Sequence, residues 1–358
     1  MTKKIVWIAA GGTGGHVIPG LVLAKALREK GVHVTWLGTK TGIEAQLVTQ
    51  AGFFLHTISA KPLRGRGWQG LLEGMVGLLR AMWQVIFLLC QERPSLVISM
   101  GGYVAAPVGL VAKICAVPLV LHEQNAIMGA TNRLLAKFAQ KIFLAFPLTK
   151  LSASRVMCTG NPVRSEIMRI GQFKEDFGQK KSPLRCLVLG GSRGATTLNT
   201  MVQSAWQSLP EEQRPLLWHQ VGQVDYANYQ KHYAKGGEKV RVSAFIEDMA
   251  AAYVWADVVI ARAGAMTVSE CLSAGLPVAW VPLPWATDNH QQANAEYFCN
   301  VSQGWLWSQK HLSSQIITRW WSDCQTNLQD YHDQAKYAAS QQPDALAVIL
   351  AACLAIVE

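Results

Sequence analysis

The sequence predicts an α/β protein of two doubly wound, parallel-sheet domains facing each other across a ligand cleft. Three observations carry this. A short apolar run followed by a glycine turn occurs twice, about half the 358-residue chain apart: residues 5–10 before Gly11-Gly12-Thr13-Gly14-Gly15-His16, and residues 186–189 before Gly190-Gly191-Ser192-Arg193-Gly194-Ala195. Apolar runs alternate with helical segments along both halves, as parallel sheets with crossover helices require. Glycine and proline break the rhythm at Thr159-Gly160-Asn161-Pro162, which places the link between the halves there.

The elements follow in order. In the first half, strand 5–10 leads to a helix near 18–30 that ends at Gly31, then strand 32–37 closed by Gly38, a helix near 43–50 and a strand over 53–58. Strand 96–99 precedes a third glycine turn, Gly101-Gly102-Tyr103. Strand 118–121 ends in the polar run His122-Glu123-Gln124-Asn125, and 141–144 reads as the last strand of this half. The second half has strands near 185–189, 216–221, 240–243, 258–262 and 278–281, and the apolar segment 344–356 makes a closing helix.

Composition narrows the class. Half of the residues are hydrophobic, enough for sizeable cores. Eight scattered cysteines form no CxxC pair, which argues against zinc and disulfide frameworks and fits a reducing cytoplasm. The opening Met1-Thr2-Lys3-Lys4 runs straight into a strand, without the apolar core of a signal peptide. The net charge of +10 is uneven: residues 1–162 hold 17 Lys and Arg against 5 Glu, a net of +12, and residues 163–358 hold 16 against 18, a net of −2. A basic first half is either a solvated surface or an attractor for an anionic partner.

Segment 71–90 is long and apolar, yet Glu73, Arg80, Gln84 and two glycines argue against a bilayer span. Two readings stay open for it, a buried core helix and an interfacial membrane contact. Lys61, Arg64 and Arg66 before it, with Trp68 and Trp83 within and beside it, tilt toward the second.

Glycine turns at strand ends bring backbone N–H groups close to a ligand at a helix N-terminus, an arrangement suited to phosphate. The spacing lacks the dinucleotide fingerprint, and the second strand ends in Leu37-Gly38-Thr39-Lys40 without a ribose-binding acid, which disfavours an NAD dehydrogenase. No Walker sequence occurs. Asp257–Arg262 followed by Ala263-Gly264-Ala265-Met266-Thr267-Val268-Ser269-Glu270 is again strand, turn and helix start. The amides of Ala265, Met266 and Thr267 suit a diphosphate there, with Glu270 one turn in for ribose hydroxyls. Thr267-x-x-Glu270 also reads as a capping box, which these residues alone favour. His16, where a glycine loop meets a helix, suits an alcohol's general base or a structural donor. No Asp-x-Asp occurs, so helix dipoles rather than a metal are expected to hold leaving-group charge, and no cofactor is implied.

Together these segments resemble the MurG family of UDP-N-acetylglucosamine:undecaprenyl-diphospho-N-acetylmuramoyl-pentapeptide N-acetylglucosaminyltransferases. The resemblance runs through GGTGGHVIPG (11–20), GGYVAAP (101–107), HEQNAIMGATNRLLA (122–136), TGNPVR (159–164), GGSRGA (190–195), FIEDMAAAYVWADVVIARAGAMTVSE (245–270), AGLPV (274–278) and HQQANA (290–295). It implies two Rossmann-like domains in the GT-B arrangement. Residues 1–162, joined by a final helix at 342–358, would form the acceptor and membrane-associated domain, and 163–341 the UDP-GlcNAc domain. It implies inverting transfer of GlcNAc to the C4 hydroxyl of lipid I, giving lipid II for peptidoglycan, at the cytoplasmic face of the inner membrane as a peripheral enzyme. The implied partners are UDP-GlcNAc, lipid I and an anionic membrane surface, not nucleic acid, and other cell-wall synthesis proteins fit the same setting.

Carried over by motif, Thr13, Gly14, Gly15, Asn125, Arg164, Ser192, Ile246, Ala265, Met266, Thr267, Val268, Ser269, Glu270 and Gln291 would contact the donor. Ile246 would offer its backbone to uracil and Glu270 would hold the ribose. His16 is the first choice of base, with Tyr103, His122, Glu123 and Asn132 as further catalytic candidates. Ala263 stands where the family often has serine, and the loop Pro284-Trp285-Ala286-Thr287-Asp288 receives no role. Rival readings are another UDP-sugar enzyme of this architecture, such as a 2-epimerase or glycolipid synthase, and a non-enzymatic two-lobed binding protein or membrane tether. An epimerase has no need of a membrane face, and the binding protein or tether none of His16 or Glu123.

Overall fold

The computed structural model describes residues 4–61, 67–148, 153–173, 183–191 and 194–358. Arg64, Arg66, Ser192 and the side chain of Trp68 lie outside the described residues. The chain divides into two compact units, Met1–Pro162 with Pro343–Glu358, and Val163–Gln342.

The first unit runs β1 (Ile5–Ala9), α1 (Gly14–Glu29), β2 (His33–Gly38), α2 (Ile43–Gln50), β3 (Phe54–Thr57), α3 (Gly67–Gln91), β4 (Leu96–Ser99), α4 (Gly102–Ile114), β5 (Leu119–Glu123), α5 (Ala130–Leu135), β6 (Lys141–Leu144) and β7 (Val156–Cys158). Its sheet has the order β3-β2-β1-β4-β5-β6-β7, all parallel. Alternation along β1 sends Val6 and Ile8 to one face and Trp7 and Ala9 to the other, so each face carries its own core. The expectation that 141–144 ends this sheet is corrected by β7. Val156-Met157-Cys158 is only three residues long and half exposed at the edge, too short to show a period in sequence.

The second unit runs α6 (Ser165–Phe173), β8 (Arg185–Leu189), α7 (Thr196–Ser208), β9 (Leu216–Gln220), α8 (Tyr226–His232), β10 (Val240–Ser243), α9 (Met249–Trp255), β11 (Val258–Ala261), α10 (Ala265–Ala274), β12 (Val278–Trp280), α11 (His290–Val301), β13 (Gly304–Leu306) and α12 (Ser314–Ser340). Its parallel sheet has the order β10-β9-β8-β11-β12-β13. Strand β13 is a sixth strand beyond the five expected, another three-residue edge. The closing helix α13 (Ala345–Val357) joins the first unit, where Ala345, Ile349, Cys353 and Val357 enter the core beside Leu23 and Leu27 of α1.

Helix α3 is two-faced. Ala81 and Val85 are fully buried against the sheet, whereas Met75, Val76, Leu79, Trp83 and Phe87 are exposed, Trp83 at 71%. Their spacing lays them along one side of the helix, and Trp83 stacks on Phe87 with ring centroids 6.4 Å apart. A purely buried helix is therefore not what 71–90 forms.

Two glycines separate steric need from helix propensity. Gly102 has φ +79°, and a Cβ there would meet the Gly11 carbonyl oxygen at 2.6 Å, whereas a Cβ on Gly77 inside α3 would meet nothing within 4 Å. Gly102→Ala is expected to destabilise by more than about 1 kcal/mol, and Gly77→Ala to stabilise by about 0.5–1 kcal/mol. Denaturant melts of the two variants against wild type check both signs.

Candidate functional site

The first unit gathers its candidates where β1, β4 and β5 end. Thr13 is the N-cap of α1 and makes no side-chain cap; its hydroxyl instead lies 3.2 Å from His16 Nδ1. Gly14, Gly15 and His16 are the first three residues of the helix. The His16 ring covers the Gly101-Gly102 turn: a Cβ on Gly101 would sit 3.4 Å from His16 Nε2 and 3.1 Å from Asn132 Nδ2. Tyr103, second in α4, lays its ring against Gly12, whose added Cβ would be 3.1 Å from Cε1.

Two buried carboxylates fix these turns. Glu123, the last residue of β5, accepts from Asn125 N at 3.1 Å, Gly129 N at 3.0 Å and Asn132 Nδ2 at 3.0 Å, with Asn125 Nδ2 at 3.4 Å. Burial raises its pKa against the pull of these donors. Asn132 in turn donates to the His122 carbonyl at 3.0 Å and accepts from Ser99 Oγ at 3.1 Å. Glu44 is the carboxylate that sequence reasoning missed. Fully buried, it accepts from Gly12 N at 3.2 Å, Thr39 N at 2.9 Å and Thr39 Oγ1 at 2.7 Å. A Cβ on Gly11 would lie 2.6 Å from its Oε1, a steric reason for glycine that only the fold reveals.

His122 sits inside β5 with both ring nitrogens engaged, Nε2 3.2 Å from the Gly160 carbonyl and Nδ1 3.0 Å from Gln124 Nε2. The amide must donate to Nδ1, which leaves Nε2 as the donor to the carbonyl. Burial lowers its pKa to about 4.

In the second unit the candidates meet at the start of α10. Its N-cap is Gly264, which has no side chain to cap with, and its first helical hydrogen bond runs from Val268 N to the Gly264 carbonyl at 2.9 Å. The amides of Ala265, Met266 and Thr267 precede that bond, an anion-binding arrangement. The capping-box reading is corrected here: Thr267 lies inside the helix, whose N-cap is Gly264, and the Glu270 carboxylate bonds other side chains. Glu270 Oε1 receives Arg164 Nη2 at 3.0 Å, and Oε2 receives the Tyr253 hydroxyl at 3.1 Å. Burial raises the Glu270 pKa, opposed by the Arg164 cation. Val268 and Ser269 are buried within the helix, and Ile246 is buried in the loop after β10. Gln291, in the first turn of α11, accepts from Leu283 N at 2.9 Å. Tyr253 and Arg262 were not singled out from sequence. Arg262, at the end of β11, donates to the carbonyls of Val281 and Pro282 at 2.9 and 3.2 Å. Among the described residues no group of three or more His, Cys, Asp and Glu is placed to hold a metal ion.

Helix starts elsewhere differ. Asp248, Ser313 and Asp344 cap α9, α12 and α13 with their side chains, whereas α1, α4 and α10, which follow central strands, have no side-chain cap, and neither do α2, α5, α7, α8 and α11. Two Rossmann-like units in one chain fit a glycosyltransferase of the GT-B class. The family models agree: the glycosyltransferase family 28 N-terminal domain matches residues 6–144, and its C-terminal domain matches 185–349. The UDP-N-acetylglucosamine–N-acetylmuramyl-(pentapeptide) pyrophosphoryl-undecaprenol N-acetylglucosamine transferase of Nitrosomonas eutropha is 41% identical over 353 residues, 98% of this chain and 99% of that protein. The enzyme of that name from Alkalilimnicola ehrlichii is 43% identical over 360 residues, 99% of each. The crystal structure of Acinetobacter baumannii MurG superposes with a TM-score of 0.80 at 32% identity, covering 98% of this chain and 99% of that one. The chain belongs to the MurG family of glycosyltransferase family 28.

Burial lowers the pKa of His122 in the first unit to about 4 and that of His219 in the second, between Tyr233 and Asn199, to about 3. In the unfolded chain both take a proton near pH 6.5. Between that pH and about 4 the unfolded state binds more protons than the native state, so stability falls as the pH is lowered through this window, by about 1.4 kcal/mol per unit for each histidine. The raised pKa values of Glu123 and Glu270 act in the opposite sense, which a difference measurement removes. Urea unfolding at pH 6.5 and 5 is expected to show a smaller acid loss in His122→Gln than in wild type. Equal losses would mean that the ring is already protonated in the fold.

Proposed function

We propose that this chain transfers N-acetylglucosamine from UDP-N-acetylglucosamine to N-acetylmuramyl-(pentapeptide) pyrophosphoryl-undecaprenol, the reaction its full-length relatives are named for. The observation that carries the donor half is the start of α10, with three uncapped amides beside a buried Glu270 held by Arg164 and Tyr253. The diphosphate binds those amides, and Ser192 is a further donor contact. Glu270 accepts the ribose hydroxyls through its remaining lone pairs, and the backbone of Ile246 meets uracil. Arg164 positions Glu270, and Gln291 faces the sugar. Residues 163–341 are thus the donor domain, and 1–162 with the final helix the acceptor domain. Thr13, Gly14, Gly15 and Asn125 complete the donor contacts from that side.

The chemistry is an inverting displacement. The acceptor C4 hydroxyl attacks the anomeric carbon as the bond to the phosphate oxygen breaks. His16 accepts the hydroxyl proton, and UDP leaves with its charge against the α10 amides. In the tautomer whose Nδ1–H donates to Thr13, Nε2 is the basic nitrogen. His122, with both nitrogens engaged, and Asn132 act as positioning groups, Glu123 fixes the loop 125–129, and Tyr103 shapes the turn.

The exposed apolar stripe of α3, on residues 1–162 of net charge +12, supports peripheral docking on the cytoplasmic face of an anionic membrane.

Labelled UDP-GlcNAc offered with and without a lipid I analogue tests the reaction: label is expected in lipid only with acceptor present, and UDP release without lipid product would contradict transfer. In the same assay His16→Ala is expected to lower turnover by about 10²–10⁴-fold with donor affinity little changed. Near wild-type turnover in that variant, with loss in Glu123→Ala, would move the base to the end of β5. Serine at Leu79, Trp83 and Phe87 is expected to release the protein from anionic vesicles and spare donor binding, since all three side chains are exposed. Undiminished vesicle binding would place the contact elsewhere.

A further inference from the structure

Trp285 stands on the rim of the second sheet with three-quarters of its surface exposed (75%), in a loop to which no role attaches. An indole is among the largest apolar side chains and normally anchors a core or a contact. Here it is displayed from a loop that is fixed rather than loose. Arg262 holds the beginning of the loop through the carbonyls of Val281 and Pro282, and Gln291 holds the Leu283 amide at 2.9 Å. Two successive turns follow, Ala286 N to the Leu283 carbonyl at 3.2 Å and Asn289 N to the Ala286 carbonyl at 2.9 Å. The loop closes with Asp288 and Asn289 both at positive φ, 52° and 57°.

The same contacts locate the indole relative to α10. Asn294 of α11 donates to the Ala263 carbonyl at 3.1 Å, which ties α11 to the turn that opens α10. Gln291 lies one helical turn before Asn294, and Leu283 is two residues before Trp285. The indole therefore stands on the β12 side of the α10 N-terminus. Of the other exposed apolar side chains at these strand ends, Val224 and Phe245 follow β9 and β10 on the opposite side, and Leu306 ends the edge strand β13 beyond β12. With uracil at Ile246 and the diphosphate at α10, the strand order β10-β9-β8-β11-β12 directs the pendant sugar toward β12.

We infer that Trp285 is the platform on which the pyranose of the donor stacks, a sugar-recognition residue that rests on the donor reading above. A pyranose ring presents a face of C–H groups between its equatorial hydroxyls. The negative face of an indole attracts such slightly positive hydrogens and shields them from water. The hydroxyl edges remain for polar groups such as Gln291, the division of labour usual in ligand sites.

The test measures dissociation constants of UDP and of UDP-GlcNAc for wild type, Trp285→Ala and Trp285→Phe by calorimetry. Trp285→Ala is expected to weaken UDP-GlcNAc by about threefold to tenfold, the size of one aromatic contact, and to leave UDP unchanged. Trp285→Phe, which keeps a ring, is expected to retain most of the sugar's share. An unchanged ratio of the two constants in Trp285→Ala would overturn the inference, as would an equal weakening of both ligands. Trp285→Gln, read the same way, guards against a folding defect peculiar to alanine. If wild type binds no UDP, the donor reading itself fails; if it binds UDP and the ratio does not move, only the role of Trp285 fails.

Discussion

Much of the second unit is organised around a helix start left without a cap. Most helices gain from a side-chain oxygen at the N-cap. Gly264 supplies none, and Ala265 and Met266 beside it are buried. The first amides of a helix have no partner within it, and in the proposed function the donor diphosphate takes them. Strand β11, buried along its whole length, delivers the chain to this point. Asn294 fixes the Ala263 carbonyl, and Arg262 ties the end of β11 to the loop after β12. Glu270 is restrained from two sides by Arg164 and Tyr253. The Arg164 cation offsets the cost of burying the Glu270 carboxylate.

The first unit solves a related problem with carboxylates. Two glycine-containing segments, 11–12 and 38–42, close around Glu44, which bonds the Gly12 and Thr39 amides, and Gly102 approaches the Gly11 carbonyl so closely that a side chain is excluded. Glu123 does the same for the loop after β5. The His16 imidazole then lies over a turn that cannot shift without disturbing both carboxylates. In the proposed mechanism the base is thus held in place by buried polar groups.

Much of this was legible in the sequence because glycine turns and short apolar runs are local signals. The central strands of both sheets and the helix starts after β1, β4, β8 and β11 could be read directly. The edges could not: β7 and β13 have three residues each, and α12 lies in a polar stretch whose burial depends on the sheet beneath it. Thr267-x-x-Glu270 misled because a capping box looks the same whether its threonine opens the helix or lies three residues in; the cap is decided by Gly264. Glu44, Tyr253 and Arg262 act through long-range contacts with no sequence signature. The two faces of α3 were undecided because its outward side is as apolar as its inward one, and only packing shows which leucines meet the sheet.

The central claim is that the ribose and Glu270 meet at the uncapped start of α10. A binding cycle tests it most directly, with UDP and 2′-deoxy-UDP each titrated into wild type and Glu270→Ala. The account predicts that removing the 2′-hydroxyl weakens binding to wild type and costs little further in the variant, because both changes delete one contact. Independent, additive losses, or no loss from either change, would contradict it.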